Sequence, residues 1–339
     1  MAMAARTRRA LAVGLGVGLI GMLITGYVVS VAGDRTGSTS LRSAARRSPF
    51  DGERAMRVLE QVCAFGARPS GSPGMLAQRD WLIAHFESLG GQVSQQAFSA
   101  RHPVTGAPVS LVNLVVKWRP ELTERILLCA HYDTRPFPDR DPDPARRRGV
   151  FLGANDGASG VALLAELAHH IPDLPPRLGI DMVLFDGEEL VYDNDRDPYF
   201  LGSEHFARGY AREPRPFRYR WGVLFDMVGD KHLEIYQEGN SISWADTRPL
   251  VVEIWETARI LGVHQFVARA RHTVRDDHLP LHNIGGIPTC DIIDFDYHPP
   301  DNRKQSYWHT TEDTPDKCSA ASLRLVGIVT LEWLRRMSL

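Results

Sequence analysis

Residues 182–189, Met182-Val183-Leu184-Phe185-Asp186-Gly187-Glu188-Glu189, are the stretch that decides the fold of this chain. An apolar run that stops abruptly in acidic residues is typical of a buried strand of an α/β sheet whose carboxyl end opens into a site. Two neighbouring glutamates at such a strand end can divide the work, since one can bind a metal while the other moves a proton. Taken alone, the stretch is equally compatible with a solvated turn, so the rest of the chain has to discriminate.

The same pattern of an apolar run followed by an acid or a histidine recurs elsewhere. The run 126–130 leads into His131, the run 221–225 leads into Asp226, and a glycine-rich turn places Asp156 just before a helical stretch. The carboxyl ends of parallel strands meet at one edge of a sheet. We therefore expect the polar residues at these strand ends and in the late polar loop to converge there, namely His131, Asp156, Glu188, Glu189, Asp226 and His309.

Strands alternate with helices along the chain, which predicts an α/β fold: a three-layer α/β/α sandwich with a central mixed, mostly parallel sheet. Helical spacing predicts helices over 53–65, 75–89, 161–170, 203–210, 250–261, 277–284 and 319–337. We expect the side chain of Ser203 to cap the fourth of these. Strands are predicted over 93–98, 109–118 and 125–132, the last of which contains the run that leads into His131, and over the apolar runs that end at Asp186 and Asp226.

Composition limits the function classes. The chain has 339 residues and is 43% hydrophobic, so it can form a large core. Its net charge of −2 gives no sign of a surface that binds nucleic acid. Its four cysteines form no CxxC pair, and Cys129 and Cys290 lie in strand-like runs where a buried hydrophobic role is expected. The sequence leaves open whether two of these cysteines form a disulfide bond. No Gly-x-Ser-x-Gly elbow of a serine hydrolase is present.

The N-terminus predicts a membrane anchor or a signal segment over residues 1–33. Arg6, Arg8 and Arg9 precede an uncharged run over 10–33, which is longer than an ordinary signal core and long enough to span a bilayer. We favour an uncleaved anchor over a cleaved signal. Residues 34–48 are expected to be a linker and 49–339 the catalytic domain, membrane-anchored or secreted, on the non-cytoplasmic side.

Several motifs, in this order, resemble those of the zinc-exopeptidase clan of metallopeptidases, which includes family M28, and within it the animal-type glutaminyl-peptide cyclotransferases. The resemblance extends from about Val58 to Leu334. The motifs are His131-Tyr132-Asp133, Asn155-Asp156, Asp186-Gly187-Glu188-Glu189, Phe225-Asp226-Met227-Val228-Gly229, Asp276-Asp277-His278-Leu279-Pro280 and Trp308-His309-Thr310. The long segment 190–201 and the indole of Trp308 favour the cyclotransferases over the aminopeptidases of the clan.

This resemblance implies a zinc-dependent conversion of an N-terminal glutamine to pyroglutamate with release of ammonia. It implies that Asp156, Glu189 and His309 bind one zinc ion and that Glu188 transfers a proton. By the same resemblance, Asp226 and Asp276 form a carboxylate pair that keeps one proton, and Trp308 packs against the substrate. The expected partners are peptide or protein N-termini, no nucleic acid, and the membrane through the N-terminal segment, with a monomer favoured.

The chain also departs from the cyclotransferase pattern. Asn194 stands where these enzymes usually carry a tryptophan, so we expect a more open or more polar pocket. Ala130 and Val161 stand where the family has a pair of cysteines, so that disulfide is expected to be absent. The segment 297–307 is longer than in the family and is expected to reshape the rim of the pocket.

The alternative is a di-zinc aminopeptidase. In that reading His131 and Asp226 join Asp156 to hold a second zinc, and Glu188 activates a metal-bound water. All of these residues are present, so their identities alone leave both activities open. A third reading, a non-enzymatic domain that binds peptides, predicts the loss of a metal ligand or of the general base, and none is lost.

Overall fold

The computed structural model describes residues 50–174 and 176–338. In chain order its strands are β1 (Gln92–Arg101), β2 (Pro108–Trp118), β3 (Glu124–His131), β4 (Gly179–Phe185), β5 (Arg218–Asp226), β6 (Ile235–Gln237), β7 (Phe266–Ala270) and β8 (Thr289–Ile293). Its helices are α1 (Gly52–Ala64), α2 (Pro73–Ser88), α3 (Ala158–Ala168), α4 (Leu201–Arg212), α5 (Gly239–Ser243), α6 (Arg248–Leu261), α7 (His278–Asn283) and α8 (Ala320–Ser338), with a 3-10 turn over Pro315–Lys317.

The main sheet has the strand order β1-β2-β4-β3-β5-β8. Strands β4, β3, β5 and β8 run parallel to one another, whereas β1 and β2 pair antiparallel at one edge. Strands β6 and β7 form a separate parallel pair. The predicted mixed, mostly parallel sheet is therefore confirmed.

Two apolar cores cover the two faces of this sheet. Strand β3 shows the alternation, because Ile126 and Leu128 face a large core shared with α1, α2, α3, α6 and α8, while Leu127 and Cys129 face a smaller one shared with α4 and α7. Every residue of β3 after Glu124 is buried. Helices on both faces of a central sheet give the three layers expected from the sequence.

The predicted cap of α4 is wrong. The helix begins at Leu201, and its N-cap is Phe200, a residue in the left-handed region with φ 60° and no side-chain capping bond. The hydroxyl of Ser203 is buried and donates a hydrogen bond to Asp277, the residue just before α7, instead. A capping serine would accept a hydrogen bond from a backbone N–H, whereas the hydroxyl of Ser203 donates to the carboxylate of Asp277.

All four cysteines are free and buried, in line with the absent family disulfide. Within residues 50–174 and 176–338, no helix is both long and apolar enough to cross a bilayer. The predicted anchor over 1–33 and the linker over 34–48 lie outside the described residues.

Candidate active site

The polar residues at the strand ends do meet around one cavity. His131 is the last residue of β3 and Asp226 the last of β5, while Glu188 and Glu189 follow β4 directly. The cavity has a volume of about 280 Å³. Its lining includes seven of the eight residues singled out from the sequence, namely Asp156, Glu188, Glu189, Asp226, Asp276, Trp308 and His309. His131 is buried and contacts Asp156 and Asp226.

Three of these side chains, Asp156, Glu189 and His309, form what we call the first trio. One potential ligand atom from each lies within 4.8 Å of the others, and all three residues are buried. The Nε2 atom of His309 is 2.9 Å from Oε1 of Glu189 and 3.4 Å from Oδ2 of Asp156. That Asp156 oxygen is buried and has no hydrogen-bond partner among the described residues, as expected of an atom placed to bind a cation.

A second trio shares Asp156 with the first and adds His131 and Asp226. The Nε2 atom of His131 lies 3.2 Å from Oδ1 of Asp156 and 3.2 Å from Oδ1 of Asp226. One potential ligand atom from each member of the second trio lies within 4.8 Å of the others, and the same holds for His131, Glu188 and Glu189. The site therefore offers the geometry for a second cation beside the first.

Asp133 fixes the turn that carries the two glutamates. Its carboxylate accepts hydrogen bonds from the backbone N–H groups of Glu188 (3.2 Å) and Glu189 (3.0 Å). Gly187 permits the turn because its φ is 80°, and an added Cβ would lie 2.3 Å from a methyl group of Leu111. Asp133, two residues after the end of β3, thus holds the loop that follows β4 in place through these two hydrogen bonds.

The turn before α3 places Asp156 without using its side chain as a helix cap. The N-cap of α3 is Gly157, with φ 92°. A Cβ on Gly157 would lie 3.1 Å from the ring of His131, so only glycine allows this approach. The carboxylate of Asp313 accepts the N–H groups of Asn155 (2.8 Å) and Asp156 (3.2 Å) from the other side. Asp156 therefore does not cap α3, and its carboxylate faces the cavity.

Two further residues, Arg135 and Asp139, support the first trio and were missed at the level of sequence. The backbone N–H of Arg135 donates to Oε2 of Glu189 at 2.8 Å, and its guanidinium lies 3.4 Å from Oε1. Oδ1 of Asp139 lies 3.2 Å from Nδ1 of His309 and 2.8 Å from Nε of Arg135. They lie in the proline-rich loop after β3, where no sequence pattern indicated their position.

The charges of this cluster favour bound cations. Burial by itself would lower the pKa of His309, but the charge of Glu189 and the contacts with Asp139 and Asp156 raise it to about 10. A site that holds a proton so firmly has the negative potential to hold a divalent cation in its place.

Carboxyl groups on the other side of the cavity have raised pKa values. Burial raises the pKa of Glu188 well above its usual range, and repulsion from Glu189 and Asp276 opposes the favourable charge of His131. Burial and the charge of Asp226 raise the pKa of Asp276 in the same direction. The Oδ2 atom of Asp276 is buried and accepts no hydrogen bond from the described residues. Such a carboxyl keeps a proton more readily than an exposed one.

Aromatic and polar side chains form the walls of the cavity. The indole of Trp308 lies with its ring centre 5.2 Å from that of Phe295 and 4.2 Å from that of His309. Asn194 also lines the cavity and bonds to Arg135, to Asp139 and to Tyr199. The wall at Asn194 is polar, as the departure from the family pattern predicted.

The backbone is strained at three positions around the cavity. Phe200 (φ 60°), Met227 (φ 47°) and His309 (φ 56°) occupy the left-handed region, and all three line the cavity. For residues other than glycine, this conformation is uncommon and persists only where surrounding contacts enforce it. The strained backbone at His309 accompanies the placement of its ring against the other two members of the first trio, Asp156 and Glu189.

Comparisons with known proteins agree with this geometry. The sequence model of a protein family, described as Peptidase family M28, matches residues 113–334 of this chain. The solved structure of Fimbriiglobus ruber glutaminyl cyclase is 40% identical, has a TM-score of 0.79, and the match covers 85% of this chain and 95% of that one. A leucine aminopeptidase precursor from Bacteroides thetaiotaomicron is 30% identical with a TM-score of 0.76, over 84% of this chain and 97% of that one.

A further relative is a glutaminyl-peptide cyclotransferase-like protein of Bos taurus. It is 25% identical over 269 residues, which cover 73% of this chain. The match spans just under two thirds, 66%, of the length of that relative. The chain is thus similar both to proteins named for cyclisation and to one named for aminopeptidase activity.

Proposed function

This chain belongs to peptidase family M28, and we propose that within it the protein converts the N-terminal glutamine of peptides to pyroglutamate with release of ammonia. The observation that carries the proposal is a single cavity in which the first trio, the carboxyl of Glu188 and the indole of Trp308 lie together. The 40% identity to a glutaminyl cyclase over 95% of that protein supports the same activity.

The first trio fits a zinc ion. Two carboxylates and one imidazole are ligands that catalytic zinc sites use, and three protein ligands leave a position open for substrate. The unpartnered oxygen of Asp156 fits this role as well. We propose one zinc ion, held by Asp156, Glu189 and His309. When bound, it supplies a Lewis acid that polarises the amide oxygen of the glutamine side chain.

Glu188 is the residue that we propose moves the proton. The α-amine nitrogen of the substrate attacks the δ-carbon of its own side chain, a new C–N bond forms, and the bond to the amide nitrogen breaks. Glu188 accepts the proton that the α-amine loses and donates it to the departing nitrogen, which leaves as ammonia. Burial raises the pKa of this carboxyl, so it holds a proton more readily than an exposed glutamate does.

The remaining residues position the substrate. The attacking amine is already tethered to the carbon that it attacks, so a correct orientation supplies much of the acceleration. We propose that Trp308 packs against the glutamine side chain and that Asp226 and Asp276 share one proton. The protonated member of this pair would then donate a hydrogen bond into the cavity.

A specific observation keeps the aminopeptidase alternative in play. The second trio brings His131, Asp156 and Asp226 close enough to bind a second cation, which a di-zinc aminopeptidase would need. In that case Glu188 would activate a water molecule, and the first peptide bond would be hydrolysed. The 40% identity to a solved glutaminyl cyclase favours cyclisation.

We propose in addition that residues 1–33 anchor the protein in a membrane and that residues 34–48 link this anchor to the catalytic domain. The support is the uncharged run after Arg6, Arg8 and Arg9. The catalytic domain would then lie on the non-cytoplasmic side and act as a monomer on peptide N-termini.

Incubation of the purified chain with a peptide that begins with glutamine and one that begins with leucine tests the activity. We expect ammonia and a blocked N-terminus from the first peptide and no change in the second. Release of free leucine from the second, without ammonia from the first, would show that the protein is an aminopeptidase.

A further inference from the structure

The floor and the mouth of the cavity carry opposite charges. Five carboxyl groups line it, those of Asp156, Glu188, Glu189, Asp226 and Asp276. Four of these residues are buried and Glu188 is only partly exposed. Two arginines, Arg140 and Arg275, also line the cavity, and both are exposed to solvent. The anionic groups thus lie deep, whereas the cationic groups lie where a bound peptide would leave.

Both arginines are held against aromatic rings of the same cavity. The guanidinium carbon of Arg140 is 4.0 Å from the ring centre of Trp308, and that of Arg275 is 5.4 Å from the ring centre of Tyr199. A guanidinium that stacks on a ring loses part of its freedom but keeps its N–H donors available. Stacking therefore prepares both groups to bind an anion without forming their own ion pair.

Neither guanidinium has a carboxylate partner within the described part of the chain. The ion pairs found there include those of Arg135 with Asp139 and Glu189, and of Arg271 with Asp296, but none of Arg140 or Arg275. Arg135 differs in that it is buried and neutralises the first trio. Arg140 and Arg275 are the cations of the cavity lining that stay available to a ligand.

We propose that Arg140 and Arg275 form a binding site for a side-chain carboxylate of the substrate. The site would select peptides that carry glutamate or aspartate in the first two positions after the N-terminal glutamine. The inference rests on the proposed cyclisation, because the glutamine side chain must occupy the cavity for the following residues to lie at its mouth. Planar guanidinium groups bind carboxylates through paired N–H donors. Binding therefore depends on the orientation of the carboxylate as well as on its charge.

The effect is expected to be moderate and sensitive to salt. Exposed ion pairs contribute little each, so two arginines together should favour a glutamate over a glutamine at these positions by about fivefold in kcat/KM. The preference should shrink as the Debye length falls from about 30 Å at 0.01 M salt to about 3 Å at 1 M. A lysine at the same positions should be disfavoured.

The test uses the full chain and four peptides of equal length: Gln-Glu-Ala-Phe, Gln-Ala-Glu-Phe, Gln-Gln-Ala-Phe and Gln-Lys-Ala-Phe. Ammonia release gives kcat/KM for each, in the wild type and in the Arg140→Gln/Arg275→Gln double variant. We expect the better of the two glutamate peptides to be preferred over the Gln-Gln peptide in the wild type and this ratio to fall to about one in the double variant. An Arg140→Lys/Arg275→Lys variant should keep part of the preference, since it keeps the charge.

Arg148→Gln is the matched control. Arg148 is also exposed and also stacks on a ring, at 4.6 Å from the centre of Phe137, but it does not line the cavity. Its loss should leave the ratio unchanged. Because Arg275 is adjacent to Asp276, the double variant can slow all peptides alike, and the ratio between peptides separates selection from such a loss.

Two outcomes would overturn the inference. Equal kcat/KM for the glutamate, glutamine and lysine peptides in the wild type would show that the mouth does not select acids. A preference that survives unchanged in the double variant would show that other residues select. Cyclisation of the Gln-Gln peptide in either case leaves the proposed function intact, whereas no ammonia from any peptide removes that function and this inference with it.

Discussion

The two trios of the active site share Asp156 but differ in what surrounds them. In the first trio, Nδ1 of His309 lies 3.2 Å from Asp139, and Arg135 contacts Glu189. In the second trio, Nδ1 of His131 lies 3.7 Å from Asp133. That same carboxylate already accepts the two N–H groups of the glutamate turn. Supporting groups orient metal ligands and tune their affinity, so the first trio is the better prepared of the two.

This difference suggests how one scaffold can serve two reactions. A hydrolase needs a bound water beside its metal, and a second cation helps to activate it. Cyclisation needs no water, because the nucleophile belongs to the substrate. Asp226 and Asp276 both line the cavity, and the charge of Asp226 helps to raise the pKa of Asp276. In the proposed mechanism these two carboxyl groups share one proton at the place where a second cation would otherwise bind. The comparison of the two trios, together with the proposed role of Glu188, leads to four predictions about individual residues.

The largest effect is expected for the first trio. His309→Ala removes one of the three proposed zinc ligands, so zinc should no longer bind and kcat/KM for a glutamine peptide should fall by about a thousandfold or more. Metal content by mass spectrometry and ammonia release check the two parts. A variant that keeps both its zinc and its activity would show that the first trio is not the metal site.

The next effect concerns the proton. Glu188→Gln keeps the shape of the side chain but removes its ability to accept a proton, so kcat should fall by about 10² to 10⁴-fold. Zinc content should stay at the wild-type value, because Glu188 is not proposed as a ligand. Loss of zinc would mean that the roles of Glu188 and Glu189 are reversed.

The smallest effect is expected for the second trio. His131→Ala should leave one zinc ion per chain and lower kcat/KM for cyclisation by about tenfold, because His131 only supports Asp156 and Asp226. In a di-zinc enzyme the same change would remove one of two ions together with most of the activity.

Asp139→Asn is the counterpart of this variant on the first trio. Asp139 is not a proposed ligand, but its contact with His309 should make its loss weaken zinc affinity by about 10 to 100-fold. Zinc titration measures both variants. If His131→Ala weakened zinc binding more than Asp139→Asn, the order of importance of the two trios would be reversed.

The parts of the site that the sequence revealed are those attached to regular strands. His131, Glu188, Glu189 and Asp226 follow apolar runs, and parallel strands place their carboxyl ends at one edge, so convergence follows from the fold class alone. The pattern of apolar and polar residues does not predict where residues in long loops lie. His309 was placed at the site mainly through resemblance, because its loop has no periodicity that fixes where it goes.

The misses have physical causes of the same kind. Asp139 and Arg135 act through contacts between a proline-rich loop and side chains that are distant in sequence, which no local spacing encodes. Ser203 was assigned to a cap because serine before a helical run usually has that role. The left-handed residue Phe200 starts the helix earlier and leaves the hydroxyl facing Asp277. Tertiary contacts decided these positions.

Crystals of the zinc-loaded protein, measured on both sides of the zinc absorption edge, test the central claim most directly. We expect one anomalous peak per chain, about 2.0–2.2 Å from a carboxylate oxygen of Asp156, a carboxylate oxygen of Glu189 and Nε2 of His309. Two peaks of similar height that share Asp156, with the second peak bound by His131 and Asp226, would contradict it.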